Sequence, residues 1–216
     1  QPLIKLHKGK NRNFAKNEHE RLLIRSFIRN AHLYLSHLPH ENNQLEWLAI
    51  MQHYGAPTRL LDVTYSPHIA TYFALEHGHG DCCVIAFDHK ALRASESEQT
   101  KNKTLRKKVF ENFKGPKSFI VPFEPELSNQ RMVAQQGLFL VPSNNYEHFQ
   151  TILAEYNLKG KACKQFIIPA KLRFEGLERL RRMNITSASL FPGIDGFCRS
   201  LRFQILVSTK DQQSID

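Results

Sequence analysis

The chain reads as an α+β protein: a central mixed or antiparallel sheet, flanked by helices and ending in a helical C-terminal element. Three observations carry this. Helical apolar periodicities and short apolar runs are mixed without the regular strand–helix–strand alternation of a doubly wound sheet. At 41% hydrophobic and 23% charged residues over 216 positions, the composition is globular and the chain is long enough to bury a core. No internal repeat or clean linker divides it, so residues 1–216 are read as a single domain.

The elements follow from local pattern. Leu23, Ile24, Phe27, Ile28, Ala31, Leu35 and Leu38 fall at helical spacing and predict a helix over 18–38, stopped by Pro39. A second helix is expected over 44–53, broken by Gly55 and Pro57, with Thr58–Val63 extended. Ser66 is a natural N-cap with Pro67 at the first helical position, and Ile69, Ala70, Phe73 and Ala74 make the buried face of the helix that follows. The His-Gly-His-Gly run after Glu76 ends it, and Cys82–Phe87 is an apolar strand. Residues 90–117 are polar and basic, a loop with a helical piece around 104–113. Strands at Ser118–Pro122 and Leu138–Val141 bracket a helix over 126–136, with Gly137 as its stop. Helix 145–156, strand 165–169, helices 173–183 and 193–202, and a strand at Phe203–Val207 complete the chain.

The formal net charge is +10. Such an excess favours anionic partners: nucleotide phosphates, nucleic acid or an acidic protein. It is concentrated between Lys101 and Lys117, with a second cluster at Arg179, Arg181 and Arg182. Cys82, Cys83, Cys163 and Cys198 form no disulfide framework and no CxxC pair, which fits a reducing, cytoplasmic setting. His77, His79 and His89 match no ligand spacing, so no metal is expected. No apolar run approaches the ~18–20 residues that span a bilayer, and no secretory leader is seen. The chain opens on Gln1 rather than Met, so an upstream part is expected.

The densest chemistry lies in His53–Leu75, HYGAPTRLLDVTYSPHIATYFAL. Arg59 and Asp62 flank two leucines that favour burial, so each charge needs a partner, most simply the other. Candidate site residues are His53, Tyr54, Thr58, Arg59, Asp62 and Thr64, with Arg131 and Gln135 further on. Each also has a structural reading. His53 can bond a last-turn carbonyl, Tyr54 can pack, Arg59 and Asp62 can fix the turn, and Gln135 can cap a helix end.

Gln52 through Ala74 resembles the signature of the FRG domain: Gln-His-Tyr-Gly, Pro-Thr-Arg-Leu-Leu-Asp, Thr, then Ser-Pro opening a helix with Phe-Ala. Val63 stands where the family commonly has Trp. RMVAQQGLF, with Arg131, Gln135, Gly137 and Phe139, resembles a second family motif. ITSASLFPGIDG, with Ile185, Thr186, Leu190, Phe191, Pro192, Asp195 and Gly196, resembles a third. The Phe-Arg-Gly that names the family is absent, Lys8-Gly9-Lys10 being a poor substitute, and its strand is expected upstream of residue 1.

The resemblance implies a role in toxin or anti-phage defence systems. The motif order is similar to that of ADP-ribosyltransferases, which by analogy implies that the central sheet resembles their core and that NAD is the ligand. On that analogy Tyr54, Thr58, Arg59, Thr64 and Arg131 bind the nucleotide, while Asp62, Gln135 and His53 serve the chemistry, Gln135 standing where those enzymes have a catalytic Glu. Two alternatives remain open. One is a non-catalytic module docking an antitoxin or other acidic partner. The other is a basic nucleic-acid-binding or cleaving toxin, in which His53 acts as general base.

Overall fold

The structure, a computed structural model, describes residues 12–76, 80–93, 118–126, 128–144, 147–156 and 163–201. The elements are α1 (Arg12–Ala31), α2 (Gln44–His53), β1 (Leu61–Thr64), α3 (Pro67–Glu76), β2 (Cys82–Phe87), β3 (Ile120–Phe123), α4 (Gln130–Ala134), β4 (Gly137–Pro142), α5 (Phe149–Tyr156), β5 (Cys163–Ile168), a 3₁₀ turn (Ala170–Leu172), α6 (Arg173–Arg182) and α7 (Ser187–Leu190). Residues 89–93 and 194–201 are also helical. This is a mixed α+β protein. Among the described residues the strands form two small sheets rather than one central sheet: β1-β4-β3, and β2 with β5. The basic run from Lys101 to Lys117, His77, His79, the expected helix at 104–113 and the expected strand at Phe203–Val207 lie outside the described residues.

Contacts divide the chain into two compact units. The first is built from Gln1–Asp62, Phe87–Glu126 and Phe139–Cys163, the second from Val63–Ala86, Leu127–Leu138 and Lys164–Asp216. In the first unit α1 turns a stripe inward: Glu20, Leu23, Ile24, Phe27, Ile28 and Ala31 are buried or half-buried at helical spacing. The helix ends at Ala31, not at Leu38. Leu33, Tyr34 and Leu38 are exposed, so no packing rewards further turns, and Leu33 and Tyr34 close tight bonds to Asn30 and Ala31 instead. The helix α2 buries Trp47, Leu48 and Met51, and the Trp47 ring meets Phe27 edge-on at 6.2 Å. Strands β3 and β4 pair antiparallel, with Val121 opposite Val141 and Phe123 stacked on Phe139.

The second unit has its own core: Ile69, Tyr72 and Leu75 of α3, Cys82, Leu180 and Leu190, with Phe73, Leu177 and Phe191 packed against it. Ser66 caps α3, its Oγ accepting the Ile69 N–H at 3.4 Å, with Pro67 in the first turn. The helix expected over 126–136 is only α4. Asn129 is its true cap, accepting the Met132 N–H at 2.9 Å. The left-handed residue that ends it is Gln136, φ 47°, while Gly137 already belongs to β4.

Candidate functional site

The first half of the dense motif is a helix stop. Gly55 takes φ +82°, its N–H bonds to the Gln52 carbonyl at 3.0 Å, and the Ala56 N–H reaches Met51 at 2.9 Å. These two bonds make a Schellman motif, which glycine suits because it lacks a Cβ. Pro57 then prevents continuation. The stop leaves His53 half-buried, its ring edge-on to Tyr54 at 4.9 Å, and leaves Tyr54 65% exposed.

Past the turn the chain returns along the end of α2, and Gln52 ties the return down. Thr58 Oγ1 donates to Gln52 Oε1 at 2.6 Å, and Gln52 Nε2 donates to Asp62 Oδ2 at 2.8 Å. Thr58 Oγ1 also accepts the Leu60 N–H at 3.1 Å. Threonine thereby sets which way the Gln52 amide points, and the amide orients the carboxylate. Asp62 itself remains exposed. Thr58, Gln52 and Asp62 thus form a group in which three motif side chains converge.

Arg59 does not pair with Asp62. Its Nε donates to both oxygens of Glu20 at 2.9 and 3.1 Å, its Nη2 closes on Glu20 as well, and its Nη1 reaches the Pro142 carbonyl at 3.2 Å. The Arg59 and Glu20 side chains are 1% and 3% exposed. The expectation failed on backbone geometry. Positions three apart face each other on a helix, but Arg59 lies in a bend before β1 and is buried, whereas Asp62 lies in β1 and is exposed. Leu60 is buried alongside Arg59, and Leu61 is exposed alongside Asp62. Arg59 is therefore a clamp joining α1 to the end of β4.

In the second unit, Thr64 Oγ1 donates to the Gln135 carbonyl at 2.7 Å and accepts the Ser66 N–H at 3.0 Å, while the Tyr65 N–H bonds to Gln136 at 3.1 Å. The Gln135 side chain is buried, and its Nε2 donates to the Leu190 carbonyl at 3.0 Å. Gln135 is thus the C-cap of α4 and also a tie to the end of α7. Arg131 lies over the Phe191 ring, 4.8 Å from its centroid.

The second unit also holds a polar group the sequence did not announce. The Tyr72 hydroxyl lies 2.6 Å from Ser187 Oγ and donates to Glu76 Oε1 at 2.9 Å, and Ser187 reaches the same oxygen at 3.1 Å. Burial, opposed by the Ser187 bond and assisted by Glu76, pushes the Tyr72 phenol well above its ordinary pKa. Arg173 closes the end of α3 by donating to the Leu75 and Glu76 carbonyls. Among the described residues, no group of three or more His, Cys, Asp or Glu could hold a metal ion, and no helix is long and apolar enough to cross a membrane.

The sequence-predicted residues thus fall into two sets: His53, Tyr54, Thr58, Arg59 and Asp62 in the first unit, and Thr64, Arg131 and Gln135 in the second. Gln52, the residue that joins Thr58 to Asp62, was part of the motif but not singled out. Its amide between two hydroxyl- and carboxyl-bearing neighbours was the available signal.

Comparison with known proteins gives one match, a family model. A family model described as FRG domain matches residues 2–81, a span that holds the whole Gln52–Ala74 motif. The motifs at 131–139 and 185–196 lie beyond it. No curated protein and no solved structure matches. An FRG domain is thus matched over residues 2–81, less than half of the chain.

Proposed function

We propose that this FRG-domain chain is a cytoplasmic effector of the toxin or anti-phage defence type that uses NAD, as an ADP-ribosyltransferase or NAD glycohydrolase. The observation that carries the reading is Asp62: an exposed carboxylate held by Gln52, which is itself oriented by Thr58. The likeness of the motif order to ADP-ribosyltransferases supplies the reaction class.

In that reaction the bond between the nicotinamide nitrogen and ribose C1′ breaks. Nicotinamide leaves with the electron pair as a neutral molecule. The cationic ribose is captured by water, which gives up a proton, or by a nucleophile on a target. A fixed carboxylate opposite the developing cation lowers the barrier, and losing one such preorganised contact costs on the order of 10²–10³ in rate. Gln135 is neutral and cannot supply that charge, and its Nε2 is committed to Leu190. The charge therefore falls to Asp62. The exposed Tyr54 ring offers a flat face to an aromatic base, and Arg59 holds the segment rather than the nucleotide.

The test is incubation of the purified protein with NAD. Nicotinamide release with free ADP-ribose indicates the hydrolase, and release with ADP-ribose linked to protein indicates the transferase. Absence of both nicotinamide release and an NAD-dependent rise in melting temperature would overturn the reading. The net charge of +10 favours a second reading, a basic module docking nucleic acid or an acidic protein. Duplex DNA affinity then falls with salt by about 0.9 log units per log unit for each phosphate contacted.

A further inference from the structure

Phe191 carries two cations. The Arg131 guanidinium carbon stands 4.8 Å from the ring centroid and that of Arg199 stands 4.7 Å from it, so the two charges lie within the sum of those distances of each other. Both residues and the ring belong to the second unit. Among the described residues, neither arginine has a carboxylate oxygen at ion-pair distance. That is a choice, not a shortage. Asp195 lies four residues before Arg199 on the same helical stretch. At this spacing on α6, Arg179 pairs with Glu175 at 2.5 Å and Arg182 with Glu178 at 2.6 Å. Arg199 turns to the ring instead.

The platform is rigid. The Phe191 ring stands edge-on to Phe73 at 5.9 Å, and its N–H bonds to the Ser187 carbonyl at 2.9 Å. The preceding carbonyl, Leu190, is held by Gln135. Gly196 lets the next turn approach: a Cβ there would stand 1.8 Å from the Phe191 carbonyl oxygen. Two like charges held against one ring repel each other, and the ring face offsets this only in part. An anion at the rim of the ring relieves the repulsion and accepts from the N–H groups the ring leaves free. A dianion with tetrahedral oxygens suits two guanidinium forks better than a single carboxylate, which neutralises only one.

We propose that Arg131 and Arg199, presented by Phe191, form a binding site for the phosphate or diphosphate group of a small ligand. The site stands whether or not Asp62 acts on NAD, and its test uses no turnover. Inorganic pyrophosphate and ADP are titrated calorimetrically into the whole chain at low ionic strength. Arg131→Gln and Arg199→Gln are each expected to weaken binding by about tenfold, the loss of one charge-assisted contact, and the double variant by more. Arg199→Lys, which keeps the charge but not the fork, should lose less. Arg179→Gln and Arg182→Gln, whose arginines already have carboxylates, should change affinity by less than about twofold. Unaltered melting of each variant shows that the fold is kept. No binding of either probe to the parent protein overturns the proposal. So does an equal loss in the α6 controls, which would mean that pyrophosphate answers only the overall positive charge.

Discussion

Replacing Glu20 by alanine should be among the most damaging single changes in the first unit. Arg59 spans from Glu20 to the Pro142 carbonyl with side chains 1% and 3% exposed, so removing the carboxylate strands a guanidinium away from water. Breaking such a pair by deleting one partner costs about 3–5 kcal/mol. Unfolding entropy of about 2.1 cal/mol/K per residue over 216 residues converts this to a fall in melting temperature of roughly 7–11 °C. Replacing both partners at once, with Glu20→Leu and Arg59→Met, should cost clearly less than Glu20→Ala, because no charge is left behind. Calorimetry on the two single variants and the double variant gives the coupling directly. A loss below about 1 kcal/mol for Glu20→Ala, or additive losses in the cycle, would refute the assignment of Arg59 as a buried clamp.

Other outcomes follow from the second unit. Gly196→Ala forces a methyl group into the Phe191 carbonyl, and should cost about 3 kcal/mol or more in a denaturant melt, with loss of pyrophosphate binding alongside. Tyr72 has its pKa raised in the folded protein, so the native state keeps a proton that the unfolded chain gives up above about pH 10. Stability is then full below pH 10 and falls as pH rises beyond it, by at most about 1.4 kcal/mol per pH unit from this group. The difference in urea stability between the parent and Tyr72→Phe, followed from pH 9 to 11, should shrink accordingly. A constant difference would mean that the phenol is not shielded as described.

Much of the secondary structure is legible from pattern alone. The helix at 44–53 and the strand at Cys82–Phe87 coincide with their expected bounds, and Ser66-Pro67 opens α3 as capping chemistry requires. Elements whose ends depend on tertiary contact are less legible. The end of α1 depends on what Leu33 to Leu38 can bury, and the start of α4 on Asn129 outcompeting Glu126, whose N–H goes to Glu46. The short helix α7 was missed although Thr186 and Ser189 cap each other reciprocally. Its polar run carries no apolar period. Pairings across long sequence separations have no local signal at all: Glu20 meets Arg59 across 39 positions and Tyr72 meets Ser187 across 115. The motif marked a segment rich in charged and polar residues. It could not say which of its charges faces solvent.

That distinction is what the functional account rests on, and Asp62→Asn tests it most directly. The substitution keeps the shape of the side chain and an oxygen able to accept from Gln52, and removes only the charge. The account predicts a protein that melts like its parent and releases nicotinamide from NAD on the order of 10²–10³ times more slowly. Unchanged nicotinamide release by the folded Asp62→Asn protein would contradict it.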